Sequence, residues 1–325
     1  MFDLLSIGDA TLDTFVKLKD ANVLCELEKN KCMLCLSFAD KIPIVRLDQK
    51  VAGNALNNAV GAARLGMETA LYTVIGNDDT GRKITDKMTK EGISRKYVVM
   101  QKGSASNYSV VLNFKGERTL LVYHHPRQYQ LPKIDHPKWV YYTSVWARGA
   151  GKLSKQLAAY IKNKKNFLAF NPGTHQINEG LRVLKNLFKV TDVLFVNKEE
   201  AQTIVGDHKD LKKLMQALKK HVPGRIVITD GGKGSYTYDG EKCYYLPVFP
   251  AKVVEMTGAG DSYATGFIAA LHYKKPAREA MRWGSANSAG VIEKIGPQDG
   301  LLALSAMKAR LDKNKDIQPK ILFKG

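Results

Sequence analysis

Hydrophobic and polar positions along the chain follow two regular patterns, one typical of strands and one typical of helices, which alternate. Short apolar runs bounded by turn residues are typical of buried strands; they are FDLLSIG (2–8), TALYTVIG (69–76), WVYYTSVW (139–146), NFLAFNPG (166–173), DVLFVN (192–197) and RIVITDGG (225–232). Apolar residues recur at helical spacing in 54–66, 153–164, 180–189 and 261–273. Strands that alternate with helices predict an α/β fold, with a mostly parallel sheet covered by helices on both faces.

Two segments break this rhythm. Residues 14–50 include KCMLCLSFADKIPIVRL, and residues 97–124 include YSVVLNFKGERTLLVYH. Both alternate as half-exposed strands do, and KGE at 115–117 suits a hairpin turn. The two segments therefore predict a small antiparallel β-sheet that forms a lid. The α/β core would then consist of residues 1–13, 51–96 and 125–325.

Composition narrows the class of protein. The 325 residues are 44% hydrophobic, enough for a large core. Four cysteines are too few for a disulfide scaffold, and CMLC at 32–35 lacks the further ligands of a zinc site, so we expect it to pack within a strand. The first residues do not resemble a secretion signal, and no run of about 20 apolar residues occurs. We expect a cytoplasmic protein without a membrane partner.

The net charge of +19 raises the question of nucleic-acid binding. The lysines are scattered, however, and those of residues 212–221 lie opposite an apolar helix face formed by Leu211, Leu214, Met215 and Leu218. Such a helix is an ordinary solvated surface. We therefore expect no dedicated nucleic-acid partner and a basic surface that suits anionic small substrates.

The segment TGAGDSYATG at 257–266 carries candidate chemistry, whereas the glycine patterns of dinucleotide-binding and Walker loops are absent. A loop that runs into a helix at Asp261 would present the N–H groups of Gly258, Ala259 and Gly260 beside the positive end of the helix dipole. An aspartate next to a bound anion suits a general base that takes a proton from a hydroxyl during phosphoryl transfer. Alternatively, Asp261 is an ordinary helix N-cap.

This segment resembles the nucleotide-binding and catalytic motif of the ribokinase-like carbohydrate kinases of the phosphofructokinase-B (PfkB) type. AGNALNNAVGAARLG at 52–66 resembles the amino-terminal motif of the same family. GDATLD, GERT, NPG, NKEE and TDGGKG also occur in the family order, so the resemblance covers nearly the whole chain. It implies a ribokinase-like fold in which Asp261 is the general base, and Gly258, Ala259 and Gly260 stabilise the transferring phosphoryl group.

Residues near the amino terminus are candidates for binding the acceptor. Asp13 follows the first strand, where its carboxylate can accept hydrogen bonds from two sugar hydroxyls. Gly53 permits close approach of the backbone, and Asn57 offers both a donor and an acceptor, which suits a polyol. Thr11 is a further candidate. The alternative for Asp13 is a turn residue at the end of a strand.

The segment NKEE is a candidate for binding magnesium. Asn197 and Glu200 resemble the N-x-x-E motif of the family, whose glutamate holds Mg²⁺ through water, as expected for a cation that keeps much of its hydration shell. Glu199 does not match the motif. The alternative for Glu200 is a plain carboxylate in the first turn of a helix.

The resemblance also implies contacts with ATP, at Thr229, Gly231, Gly234 and Asn287. The first three follow a strand, at the edge where open sheets bind ligands. Members of the family often carry Asp and Thr at a monovalent-cation site where this chain has Glu255 and Met256. Glu255 keeps the charge but Met256 lacks the hydroxyl, which leaves activation by K⁺ open.

The sequence thus predicts an ATP-dependent kinase that phosphorylates a hydroxyl, expected to be primary, of a sugar such as ribose or fructose. A nucleoside of the adenosine type is the alternative acceptor, and a catalytically silent sugar or nucleotide sensor is the alternative outside enzymes. Arg118, Arg127 and Arg148 are candidates for binding an acidic acceptor, and His124 and His125 either touch the acceptor or face solvent. Exposed edges of the lid predict a homodimer.

Overall fold

The computed structural model describes residues 1–26, 31–115, 117–146, 150–164 and 166–325. Two expectations fall outside these ranges, the hairpin turn at Gly116 and the acceptor-binding candidate Arg148. Within them, the chain forms an α/β core around one large sheet, and a smaller sheet faces one edge of that core.

The core of the described ranges is built on a nine-stranded sheet. In spatial order its strands are β17 (Lys320–Lys324), β16 (Lys242–Leu246), β15 (Ser235–Tyr238), β14 (Arg225–Thr229), β13 (Val193–Asn197), β12 (Phe167–Phe170), β11 (Trp139–Tyr142), β1 (Leu4–Ile7) and β6 (Thr69–Tyr72). Neighbours from β6 to β14 are parallel, and neighbours from β14 to β17 are antiparallel. The predicted mostly parallel sheet is confirmed.

The central strands are mostly apolar because both faces of the sheet are covered. Every residue of β1, β6 and β11 is buried, as expected of parallel strands between two helical layers. Successive residues face opposite cores, so Tyr142 packs in one apolar cluster and Tyr141 in the other. The carboxyl ends of the parallel strands meet at one edge, where open sheets bind ligands.

Helices cover both faces of this sheet. Those of the described ranges are α1 (Asn54–Arg64), α2 (Asp79–Lys90), α3 (Ala150–Lys164), α4 (Thr174–Asn178), α5 (Leu181–Phe188), α6 (Lys198–Val205), α7 (Leu211–Lys219), α8 (Ala259–His272), α9 (Ala277–Ile292) and α10 (Leu304–Lys313). Helices α3 to α7 pack on one face, and α1, α8, α9 and α10 on the other. Within the ranges that the structure describes, no helix has the length and apolar character needed to cross a bilayer.

The smaller sheet is built from two excursions of the chain. Its strands are β2 (Thr11–Leu18), β5 (Ile44–Ala52), β9 (Asn107–Phe114) and β10 (Glu117–Tyr123), in the spatial order β10, β9, β2, β5. The two outer pairs are antiparallel, as expected for the lid, but the central strands β2 and β9 are parallel. Both of these strands lead away from the core and lie side by side. The sequence analysis did not predict this central pair, because the pairing joins residues far apart in the chain.

A hairpin extends the first excursion. It consists of β3 (Asn22–Glu26) and β4 (Lys31–Cys35), and Cys25 and Cys32 form a disulfide between them. The sequence analysis did not predict this disulfide, although Cys35 does lie in a strand as expected. No group of three or more potential metal ligands occurs among the described residues. A short parallel pair, β7 (Val74–Gly76) and β8 (Val99–Gln101), completes the described strands.

Candidate active site

A cleft lies between the carboxyl edge of the large sheet and the smaller sheet. Its cavity has a volume of about 520 Å³. The predicted site residues that line it are Thr11, Asp13, Gly53, Asn57, Asn197, Glu200, Thr229, Gly258, Ala259, Gly260 and Asp261. A second cavity, of about 360 Å³, opens beside the first and shares Thr229, Ala259 and Gly260 with it.

The start of helix α8 forms an anion site. Its N-cap Gly258 has a φ of 80°, a left-handed conformation that suits glycine, and a Cβ there would lie 2.5 Å from the Cβ of Pro297. The N–H group of Ala259 donates to the carbonyl of Met256 at 3.3 Å. The N–H groups of Gly258 and Gly260 have no backbone acceptor in the described ranges. These groups and the helix dipole favour a bound anion.

Asp261 lies in the first turn of α8 and is not its N-cap, so the capping alternative does not apply. Its side chain is buried, and Oδ2 accepts a hydrogen bond from Nδ2 of Asn57 at 2.9 Å. Burial raises the pKa of Asp261 to about 7; the hydrogen bond from Asn57 opposes this rise, and the charge of Glu200 adds to it. A carboxyl group that titrates near neutral pH suits a general base.

Asn57 lines the cleft next to Asp261 and is engaged in two hydrogen bonds. Its Nδ2 donates to Asp261, and its Oδ1 accepts a hydrogen bond from Nε2 of Gln298 at 2.9 Å. Both polar atoms are therefore engaged, and the residue is only 3% exposed. The expected contact of Asn57 with a polyol stays a prediction, and the structure adds its hydrogen bond to Asp261. Gln298, in the segment GPQDG at 296–300, had no assigned role, because that sequence does not indicate that the turn reaches α1.

Asp13 and Thr11 form the wall of the cleft on the smaller sheet. They alternate along β2 and therefore share one face of the strand. Oδ1 of Asp13 and Oγ1 of Thr11 are buried without a hydrogen-bond partner among the described residues. Burial raises the pKa of Asp13 to about 6; the nearby hydroxyls of Ser109 and Thr11 oppose this rise, and the charge of Glu255 adds to it. Buried polar atoms normally have partners, so these two oxygens are available to the hydroxyls of a ligand. Gly53 lines the same cavity.

Asn197 and Glu200 form a capping box at the start of α6. The side chain of Asn197 accepts from the N–H group of Glu200 at 2.8 Å, and Oε2 of Glu200 accepts from the N–H group of Asn197 at 2.8 Å. Glu200 also lines the cleft, and burial raises its pKa. One oxygen of this carboxylate is thus engaged in capping, and Oε1 accepts no hydrogen bond from the described residues.

The second cavity has a polar end and an apolar end. Thr229, Gly231 and Gly234 line it where β14 ends. Apolar side chains, Val248, Val253 and Ile292 among them, line the rest. Exposed backbone beside apolar walls suits a flat ring that carries polar substituents.

Asn287 lies away from both cavities. The residue is fully buried, its Nδ2 donates to the carbonyl of Ser262 at 2.8 Å, and its Oδ1 accepts from the N–H group of Leu302 at 3.0 Å. The amide therefore ties α9 to α8 and to the turn before α10. The expected contact of Asn287 with adenine is corrected, since the side chain has no free polar atom.

An ion pair that the sequence analysis did not assign joins the smaller sheet to the anion site. Nη1 of Arg118, on β10, donates to Oε1 of Glu255 at 3.0 Å and to Oγ1 of Thr257 at 2.9 Å. The Glu255 side chain is 7% exposed, and that of Arg118, which lines the cleft, is 37% exposed. Arg127 is buried and donates to Ser104 and to the carbonyl of residue 105, away from the cleft.

The ring of His124 forms part of a further wall of the cleft, and other aromatic rings pack behind it. His124 lines the cavity and stacks on Trp146, with ring centroids 4.9 Å apart and planes at 14°. The ring of His175 packs edge-on against Trp146, with ring centroids 4.8 Å apart. Asp9 accepts from the hydroxyl of Tyr129 at 2.7 Å and from the N–H group of Trp146 at 2.6 Å, which anchors the wall. Asp9, Trp146 and His175 had no assigned role.

A buried base beside an anion site is useful where a phosphoryl group meets a hydroxyl that must lose its proton. The fold and the cleft therefore define a phosphotransferase with an alcohol group as acceptor. Residues 25–304 match the model of the pfkB family carbohydrate kinases, and the chain belongs to this family. The resemblance noted in the sequence is thereby confirmed, and the protein is a sugar kinase with the ribokinase fold.

Individual relatives agree with this assignment. The chain is 27% identical over 298 residues to the 5-dehydro-2-deoxygluconokinase of Geobacillus thermodenitrificans, covering 85% of this chain and 88% of the relative. The nucleoside kinase of Methanocaldococcus jannaschii superimposes with a TM-score of 0.78 at 20% identity, covering 97% of this chain and 99% of that one. The ribokinase of Arabidopsis thaliana, complexed with ribose and ATP, gives 0.78 at 19% identity, with coverages of 95% and 98%.

We predict that Gly258→Ala lowers kcat by about 10- to 100-fold, because the new Cβ would displace the N–H groups of the anion site. The matched control is Gly151→Ala. Gly151 lies in α3 and lines neither cavity, and a Cβ there would only make an ordinary contact with the side chain of Val183 at 3.9 Å. Steady-state kinetics of the two variants would check this, and equal turnover of both would contradict the assigned role of Gly258.

Proposed function

We propose that the protein transfers the γ-phosphate of ATP to a hydroxyl, expected to be primary, of an uncharged sugar such as ribose or fructose. One observation carries this proposal: the cleft that contains Asp261 has the unpartnered oxygens of Asp13 and Thr11 on another wall. A polyol held by Asp13 and Thr11 through two of its hydroxyls would have others free to approach Asp261.

Asp261 would act as the general base. As the acceptor oxygen attacks phosphorus, its proton passes to Asp261, and the bond between the γ-phosphorus and the bridging oxygen of ADP breaks. The N–H groups of Gly258 and Gly260, which have no backbone acceptor, would stabilise the negative charge on the transferring group. Oδ2 of Asp261 is occupied by Asn57, so Oδ1 is the oxygen that receives the proton.

The residues of the second cavity fit ATP. The glycine backbone at 231–234 suits its phosphates and ribose, and the apolar walls suit adenine. Glu200 would hold Mg²⁺ through water, because its second oxygen is free at the cleft. Mg²⁺, when bound, neutralises charge on the phosphates.

Charge in the cleft favours an uncharged acceptor. Arg118 already pairs with Glu255, and Leu120 and Val122 continue the same face of β10 as an apolar wall. The carboxyl group of Asp13 would repel an acidic substituent placed next to it. The Geobacillus relative is named for a sugar acid. An acidic acceptor of that kind would not suit the charges of this cleft. Oε1 of Glu255 is engaged by Arg118 and Thr257, whereas Oε2 is buried without a partner among the described residues, so activation by K⁺ stays open.

A nucleoside is the second candidate acceptor. The stacked rings of His124 and Trp146 support it, because a flat wall beside a polyol site suits a sugar that carries a planar base. Nucleoside kinases also occur among proteins with this fold. The sensor alternative receives less support, because a sensor does not need a buried base at an anion site.

We predict that, in a panel assayed for ADP release with ATP and Mg²⁺, ribose, fructose or adenosine reacts at least about tenfold faster than 2-keto-3-deoxygluconate or fructose 6-phosphate. The reason is the cost of placing a second negative charge beside Asp13. Preference for the acid or the sugar phosphate would overturn the uncharged-acceptor proposal. Binding of a sugar without any ADP release would favour a sensor.

We predict that Asp261→Asn lowers kcat by about 10³-fold, because an amide cannot accept the proton of the acceptor. ATP affinity, measured by calorimetry, should change less than about threefold. The matched control is Asp86→Asn, which makes the same change on an exposed face of α2. Near-normal turnover of Asp261→Asn would refute the assignment of the base.

We also propose a homodimer that forms through the lid, because apolar side chains are exposed on both outer strands of the smaller sheet. Val45 and Leu47 on β5 are 58% and 55% exposed, and Leu121 on β10 is 55% exposed. Exposed apolar edges tend to pair.

We predict that sedimentation equilibrium at micromolar concentration gives about twice the chain mass of 36.1 kDa, and that Leu121→Lys shifts the protein towards the monomer. The matched control is Leu322→Lys on β17, a position that is 50% exposed at the edge of the large sheet. A wild-type mass equal to that of one chain would rule out the dimer.

A further inference from the structure

A buried chain of hydrogen bonds ends on the base. Nε2 of Gln298 donates to Oδ1 of Asn57 at 2.9 Å, and Nδ2 of Asn57 donates to Oδ2 of Asp261 at 2.9 Å. Gln298 and Asn57 are each 3% exposed, and Asp261 is 7% exposed. The chain joins three elements, namely the turn before α10, helix α1 and the start of α8, over a separation of 241 residues between Gln298 and Asn57.

The backbone at Gln298 is held in turn by Arg64. Nη1 of Arg64 donates to the carbonyl of Gln298 at 2.7 Å and to that of Leu301 at 3.2 Å. The same guanidinium binds both oxygens of Glu91, at 2.9 Å and 2.7 Å. The turn that carries Gln298 is therefore fixed on α1 by a charged group that does not itself contact Asp261.

The direction of each amide matters, because an amide can present either a donor or an acceptor. If Asn57 rotated by half a turn, its carbonyl oxygen would face Oδ2 of Asp261, an arrangement that is favourable only when Asp261 carries a proton. A donor at Gln298 holds Asn57 in the opposite direction, with its N–H group towards the carboxylate. Arg64 fixes the backbone of Gln298, Nε2 of Gln298 donates to Asn57, and Oε1 of Gln298 is buried without a donor among the described residues.

We propose that Gln298 is a positioning residue, which through Asn57 keeps Asp261 ionised and leaves its other oxygen free for the proton of the acceptor. This inference rests on the proposed role of Asp261 as the base. Gln298 itself touches neither the acceptor nor the nucleotide, since it lines neither cavity. Its contribution is therefore transmitted entirely by the orientation of one neutral amide.

Charged groups on the surrounding elements bear on the ionisation of Asp261. Glu200 on α6 opposes its negative charge, and the buried hydroxyl of Tyr141 on β11 feels that charge in turn. Asp13 on β2 and the pair of Arg118 with Glu255 lie across the cleft. Behind Gln298, the neighbouring charges occur as ion pairs, Arg64 with Glu91 and Lys50 with Asp299. A substitution of Gln298 that leaves these charged groups unchanged therefore tests the effect of the amide chain by itself.

The test is a direct titration of Asp261 by ¹³C NMR in protein labelled at the aspartate carboxyl carbons. The signal of Asp261 is the one missing from Asp261→Asn. Gln298→Met keeps the length of the side chain but removes the donor, so Asn57 can rotate and its bond to the carboxylate weakens. We expect the pKa of Asp261 to rise by about 0.5 to 1 unit above that of the wild type, whose expected value is about 7. Gln298→Glu, which forces Asn57 to turn and adds charge, should raise it further.

A second test measures the pH dependence of kcat, with the best substrate of the acceptor panel. Because the base must be ionised, activity is present above its pKa and is lost as the pH falls through it. In Gln298→Met the acid limb of kcat should move to higher pH by the same amount, which lowers kcat at pH 6 by about 3- to 10-fold. KM for ATP should stay within about twofold. The matched control is Gln156→Glu, which retains an acceptor for the N–H group of Leu131 outside this network.

Several outcomes would overturn the proposal. A pKa in Gln298→Met within about 0.2 units of the wild type would show that the amide chain does not act on Asp261. If the pKa of Asp261 rises in Gln298→Glu but not in Gln298→Met, the added charge explains the rise and the amide chain does not. Thermal unfolding of each variant shows whether the substitution destabilises the fold or only changes the orientation of Asn57. Failure of the base assignment itself is distinct, because Asp261→Asn would then remain active whatever the Gln298 variants do.

Discussion

The burial of one negative charge is the constraint on which the cleft depends. Asp261 is shielded from water, and within the described ranges its hydrogen bond comes from a neutral amide and not from a cation. Removing a carboxylate from water without a cation costs free energy and raises its pKa. The start of α8 makes the position tolerable, because its dipole favours negative charge. In the reaction that we propose, the same dipole would attract the phosphate next to Asp261.

The two sheets follow from the need to enclose this position. The large sheet brings the ends of β13 and β14 to the edge where α8 begins, and the smaller sheet supplies the opposite wall. Because both excursions leave the core in the same direction, β2 presents Asp13 and β10 presents Arg118 to one cleft. In the reaction that we propose, the smaller sheet would act as a lid that keeps water from the transferring phosphoryl group while the acceptor is held.

Local motifs could be predicted from the sequence, whereas contacts between distant segments could not. The strand and helix patterns, the glycines around residue 258 and the position of Asp13 each depend on a few adjacent residues. Gln298 lies 241 residues from Asn57, and Arg118 lies 137 residues from Glu255, and no pattern in these segments indicates either contact. Asn287 shows the opposite error. A polar residue near a motif suggests a ligand, but here the amide satisfies two buried backbone groups.

In this site a neutral amide contacts Asp261, whereas ion pairs hold the surrounding elements together. A lysine in place of Asn57 would hold Asp261 ionised more firmly, yet it would lower the pKa of the base and weaken its affinity for the proton of the acceptor. An amide stabilises the charge less, so the carboxyl group still titrates near neutral pH. The guanidinium groups of Arg64 and Arg118 instead bind carboxylates at the periphery, where they fix the turn before α10 and the lid. In the arrangement that we propose, Asn57 orients Asp261 through a donor without net charge, which stabilises the carboxylate without lowering its pKa as far as a cation would.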